Sequence, residues 1–276
     1  MGDDVRIRPA HERADFDACV ELQRAVWGLA DLEITSSIQL IATTHAGGSV
    51  LLAETSGSPV GFAYAFPALR GGTAHLHSDM LAVLPAHQKR GVGVSLKWAQ
   101  RQEALQRGIE LITWTFDPLQ ARNASLNLRR LGARATEFLQ DFYGITSTPL
   151  HHGLPTDRLF VRWELNAPEV VELLAAGEPG PSVPLPAFPR INDVKWQAGW
   201  AVSSEPQLEL QDPTLLLEIP PDFDVIHQAA PTVAEGWHDK VRRALRAYFG
   251  RGYRATALVP TVEGGRRRPF YVLSRP

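Results

Sequence analysis

Sulfur is scarce in this chain. Its 276 residues include one cysteine and two methionines. A single thiol, Cys19, excludes an internal disulfide, and no Cys/His cluster has zinc-site spacing, so no metal is expected. Cys19 falls in a helical pattern without a base nearby, which suits core filling rather than nucleophilic chemistry. No Ser/His/Asp nucleophile set is recognisable. No apolar run reaches the roughly 20 residues that a bilayer-spanning helix needs. The start, Met1-Gly2-Asp3-Asp4, is acidic and lacks a secretory pattern. Net charge is only −2 at pH 7, so nothing draws the chain generally to nucleic acid or anionic membranes. The expectation from these absences is a cytoplasmic protein. What is present is ordinary for a globular chain: 44% hydrophobic and 21% charged residues, enough for one large domain or two small ones.

The most informative stretch runs from Met80 to Trp98. An apolar strand, Met80-Leu81-Ala82-Val83-Leu84, leads through Pro85-Ala86-His87-Gln88-Lys89-Arg90 into a helix opening at Gly91-Val92-Gly93-Val94. Glycine lets backbone approach a ligand closely. A helix start leaves N–H groups without intrahelical partners at the positive end of the dipole, an arrangement that binds phosphate. Lys89 and Arg90 add charge. The Walker loop does not fit, because Gly93-Val94-Ser95 lacks its lysine. The dinucleotide fingerprint does not fit either, because Leu96 stands at its third glycine. The plain alternative is a strand–turn–helix corner with a solvated basic turn.

Around this stretch, alternation and helical spacing predict an order of elements. A strand over residues 5–8 precedes a helix over 15–27, a second helix over 36–44, a hairpin of 49–54 and 59–66, and a fourth strand over 75–84. A helix over 92–107 follows, with Val94, Trp98 and Leu105 on one face. A strand over 110–116, a helix over 121–131 and strands over 133–138 and 159–165 complete the series. Prolines crowd 166–190, which reads as an extended linker with a short helix at 169–176. The tail, 191–276, reads as strand, helix, strand, strand, with Arg266–Arg268 as a solvated turn. Its plan repeats that of residues 110–165, as a partial second half that joins the same sheet or packs beside it.

Gln88-Lys89-Arg90-Gly91-Val92-Gly93 after a strand, together with this order of elements over about residues 5–165, resembles the acyl-CoA loop and fold of the GNAT superfamily of N-acyltransferases. The resemblance implies an α+β fold: a mixed, mostly antiparallel sheet flanked by helices, with the C-terminal β-α-β-β segment added. It implies acetyl-CoA as co-substrate, held by Gln88, Lys89, Arg90, Gly91, Val92, Gly93 and Val94. The pantetheine arm then pairs with Leu81, Ala82 and Val83. Asn123, in Asn123-Ala124-Ser125-Leu126-Asn127, looks like a residue at the thiol end; helix capping is its other reading. Many members place a thiolate-protonating tyrosine where this chain has Leu128, and Tyr143 is the nearest substitute in sequence.

An amine acceptor needs a base. His75, His77 and Asp79 alternate, so a regular strand puts them on one face. Asp79 is the first choice and His77 the second; exposure to solvent is the alternative for all three. Glu33 suits a substrate's charged group or a plain surface position. The expected function is direct transfer of an acetyl group to a small-molecule amine, in a chain for which a homodimer is a candidate assembly. The alternative is a non-catalytic acyl-CoA-binding module with a degenerate site.

Overall fold

A computed structural model describes residues 5–144, 153–177, 180 and 184–275. The chain divides into two compact units. One holds residues 5–114 with Glu164–Asn166; the other holds 115–144, 153–163 and the described residues from Ala167 onward.

In the first unit, β1 (Val5–Pro9) leads to α1 (Arg13–Trp27), which Gly28 ends in the left-handed region. Then come α2 (Ser37–His45), capped by the Ser36 hydroxyl, and three strands: β2 (Ser49–Thr55), β3 (Ser58–Arg70) and β4 (Thr73–Val83). The helix α3 (Val92–Gln106) leads into β5 (Leu111–Phe116), of which residues 111–114 belong to this unit. Strands β1 to β4 pair antiparallel in chain order, and β5 joins β4 in parallel. Phe16, Cys19 and Leu22 of α1 and Leu40 of α2 cover one face with Leu52, Phe62 and Tyr64. Val92 and Leu96 of α3 cover the other with Leu51, Ala53 and Ala63. Arg8 clamps Asp15 of α1 and Glu54 of β2 at 2.7 and 2.6 Å.

The face of α3 singled out in the sequence is not its core face. Val94, Trp98 and Leu105 are only half-buried. The buried positions are Val92, Leu96, Lys97, Gln100 and Ala104, because the face turned to the sheet includes two polar residues that a hydrophobicity pattern passes over.

In the second unit, α4 (Ala121–Ala124) gives way to a π-helical turn at Ser125–Arg130, so the expected single helix over 121–131 is irregular. β6 (Arg134–Leu139) and β7 (Arg158–Glu164) pair antiparallel, and α5 (Pro168–Ala176) follows. The tail contributes β8 (Val194–Gln197), β9 (Trp200–Ser203), β10 (Thr214–Glu218), α6 (Phe223–Ala229), α7 (Pro231–Gly250), β11 (Arg254–Glu263) and β12 (Arg266–Ser274). β8–β9 and α6 were not expected from sequence. β11 pairs with β6 at Ala255–Ala135, then β12 and β10 follow, so these tail strands extend the sheet of β6 and β7. Arg268 is not a solvated turn residue. Its guanidinium grips buried Glu218 at 2.6 and 2.8 Å, while Arg266 lies over Trp196 at 4.1 Å.

Candidate active site

The basic corner has the form its sequence suggests. A single turn at Pro85–His87 follows β4, and Lys89 and Gly91 both take positive φ, 63° and 84°. The left-handed Gly91 is the N-cap of α3. Glycine adopts that conformation without the Cβ penalty. Gly93 is different: a Cβ there would meet Leu81 and Val83 at ordinary contact distances of 3.7 and 3.9 Å. Its bareness has no packing cause within the chain. The first helical bond runs from Ser95 N–H to Gly91 O, and the first turn carries no acidic residue. The preceding amides therefore have no intrahelical acceptor. Lys89 and Arg90 are exposed beside them.

β4 supplies a free edge next to this turn. Its pairing with β5 covers only Leu76–Ile112 and His77–Thr113. On its other side, Leu84 N–H donates to Val60 O at 2.9 Å, and Ala82 and Met80 oppose Phe62 and Tyr64. Antiparallel ladders alternate, so Ala82 and Met80 direct their amides to β3, while Leu81 and Val83 direct theirs away from it. The Gln88 amide caps one of these outward groups, donating to Val83 O at 2.9 Å.

Where β4 and β5 stop pairing, polar side chains gather. Nδ1 of His77 lies 2.9 Å from the Thr113 hydroxyl, and its ring stacks at 5.1 Å from Phe66. Burial, then the charges of His75, Lys97 and Arg70, push His77 down to about 4. It is neutral at physiological pH. Buried His75 meets Thr73 O at 2.9 Å. The ammonium of Lys97 is also buried. It donates to Ser78 at 2.9 Å and Gln100 at 2.7 Å, and lies 4.0 Å over the Trp114 ring. Burial pushes it down to about 7. Sequence reasoning missed Lys97, since a lone lysine is by default a solvated one. The signal was the i, i+4 series Val92, Leu96, Gln100, Ala104, whose stripe has Lys97 on its flank.

Asp79 does not continue the alternation of His75 and His77. Ser78 opposes Ala65 and Met80 opposes Tyr64, so Asp79 is the extra residue of a β-bulge. A bulge re-aims a side chain, and it defeats a period-two argument. Asp79 is exposed, yet the protein crowded around it raises its carboxyl above the ordinary value. Burial, and after it the charge of Asp79, raises the Tyr64 phenol, against the hydrogen bond to Thr43 at 3.1 Å.

The remaining sequence-picked residues lie elsewhere. Glu33 is exposed and accepts the Ala30 N–H at 3.3 Å. Cys19 is buried and free, its thiol pushed up to about 12, consistent with core filling. In the second unit Asn123 is exposed and caps no helix, and Leu128 is buried in the π-helical turn. Tyr143 is 49% exposed, edge-on to Phe142, with the Arg158 guanidinium 5.3 Å from its ring. Its N–H donates to the Thr156 hydroxyl at 2.8 Å. Among the described residues no His, Cys, Asp and Glu group could hold a metal, and no helix is long and apolar enough to cross a membrane.

Residues 16–133 match the model of the acetyltransferase (GNAT) family. No curated protein matches. Several solved structures resemble the chain at low identity. One is yncA of Salmonella typhimurium with acetyl-CoA, at 22% identity over 59% of this chain and 95% of that one, TM-score 0.49. Another is the ribosomal-protein-S18-alanine N-acetyltransferase of Escherichia coli, at 16% identity over 59% and 94%, TM-score 0.47. A third is a GNAT family acetyltransferase of Elizabethkingia anophelis with acetyl-CoA, at 18% identity over 59% and 99%, TM-score 0.44.

Proposed function

Because residues 16–133 match the model of the acetyltransferase (GNAT) family, we propose that the protein is such an acetyltransferase and moves the acetyl group of acetyl-CoA onto the amine of a small molecule by direct attack. The observation that carries the reading is the continuity of an unpaired strand edge with a basic helix start. Outward amides at Leu81 and Val83 suit the amide-bearing pantetheine arm, with Ala82 between them. Main-chain N–H groups at Gly91, Val92, Gly93 and Val94 suit the diphosphate, with Lys89 and Arg90 beside it and Gln88 bracing the turn through Val83. Asn123 is assigned to the thiol end on the resemblance alone.

The chemistry follows from charge. The amine attacks through a lone pair, so a base removes its proton, either Asp79 through water or His77. Crowding raises Asp79, which brings a carboxylate nearer the strength the task requires. Negative charge grows on the thioester oxygen, and a β4 backbone N–H near Leu81 is its donor. The departing thiolate takes a proton from an acid, assigned here to Tyr143. Direct transfer is preferred to an acyl-enzyme because the chain's one thiol is buried and protonated.

A thiol-release assay with acetyl-CoA and a panel of small amines and N-terminal peptides tests the reading. Turnover with a small amine and not with peptides is expected. Turnover with peptides alone removes the small-molecule acceptor, and coenzyme A binding without turnover favours the non-catalytic module, to which the buried Leu128 gives some support.

A further inference from the structure

A cleft within the second unit is lined by Asp117, Pro155, Asp157, Arg158, Phe223 and His238. It spans about 290 Å³ counting its open mouth, and its enclosed part is the size of one water molecule. It therefore suits a single small polar head with the rest of a ligand outside.

The other polar groups lining it already have partners. Asp157 is gripped by Arg242 through two bonds of 2.7 Å. His238 Nε2 lies 3.0 Å from Pro155 O and 3.6 Å from Asp157. The Arg158 guanidinium reaches the Asp157 carbonyl at 3.3 Å and lies by the Tyr143 ring. Asp117 is the exception. Its Oδ1 accepts the Leu119 N–H at 2.8 Å, and among the described residues its carboxyl has no cation within hydrogen-bond distance. Burial raises its proton affinity, only partly opposed by the Leu119 N–H and by Arg158 and His238, with Asp224 adding to the rise. A desolvated carboxylate in that state gains most from a cation that brings its own hydrogen-bond donors. Phe223, on α6, supplies an apolar wall beside it.

We propose that this cleft binds the ammonium head of a small amine, with Asp117 as its counter-ion and Phe223 against its apolar body. This site stands on the cleft itself and not on the acyltransferase reading. Binding is measured without acetyl-CoA, so failure of this site and failure of transfer are told apart.

The probes are 2-phenylethylammonium, its neutral isostere 2-phenylethanol and the anion phenylacetate, titrated into the full chain by ligand-observed NMR at pH 7.5. The ammonium is expected to bind at least about tenfold more tightly than either of the others. Asp117→Asn should erase that preference. Asp117→Ser, which keeps an acceptor for the Leu119 N–H, should do the same and covers the case in which the asparagine variant fails to fold. Equal binding of the three probes, tighter binding of phenylacetate, or a preference that survives in a folded variant overturns the proposal.

Discussion

An ammonium enclosed by protein is expensive, and Lys97 shows what offsets the cost: two hydrogen bonds and an indole face. The offset is partial, since the group is held near 7 against an ordinary 10.5. Between those values the unfolded chain binds the extra proton and the folded one does not, so stability should rise with pH across that window. Lys97→Met should flatten this rise and add about 1–3 kcal/mol at pH 7. Urea midpoints at pH 7, 8 and 9 for both proteins check it. His77 obeys the same sign in activity. With its pKa near 4, a limb owed to His77 falls only as pH drops through 4. An acid limb of kcat/KM near 6.5 that vanishes in His77→Gln would contradict this placement. At the basic corner, Arg90→Asp with Gly91→Asp sets two carboxylates against a diphosphate. Acetyl-CoA affinity should fall at least about 100-fold by calorimetry; retained affinity removes the corner from the cofactor site.

At the scale of elements, the clearest lock is that of α1 onto the sheet. Asp15 accepts from Arg8 and from the His11 and Glu12 amides, which together hold its carboxyl well below the usual range. A depressed folded value contributes stability that is whole above the unfolded value near 3.9 and is lost as pH falls below it. Asp15→Asn should therefore cost about 2 kcal/mol at pH 7 and measurably less at pH 2.5, read from chemical denaturation at both. Much of this architecture was legible in the sequence, because helix stops such as Gly28 and hairpin turns such as Ser56-Gly57-Ser58 act locally. The basic corner was legible for the same reason: strand, turn and helix start are contiguous. What escaped was set by partners distant in sequence. The bulge at Asp79 depends on how β3 answers β4, and Lys97 is buried because Ser78 and Trp114 receive it. The pair β8–β9 is four residues a side, and its order comes from α7, whose Trp237 donates to Ala201 O at 2.8 Å.

Across the chain as a whole, a long-range ion pair ties the tail to the connection between β6 and β7. Residues 140–157 connect β6 to β7. The base of that connection is latched: Asp141 N–H donates to Asp157, Thr156 N–H donates to Asp141, and Phe142 N–H donates to Thr156 O. Asp157 is 4% exposed and is neutralised by Arg242, 85 residues later on α7. The tail thereby fixes the root of a loop it does not contain. Removing the arginine alone strands a buried carboxylate, at about 3–5 kcal/mol. Arg242→Ala should thus lower the melting temperature by about 10 °C. Adding Asp157→Asn should recover part of the loss, because the stranded charge goes with it. If the latch also shapes the acceptor pocket, the KM for the amine should rise in Arg242→Ala while that for acetyl-CoA holds. A melting temperature within about 2 °C of the parent would show that water reaches Asp157, and the tail would then need another reason to be joined to this sheet.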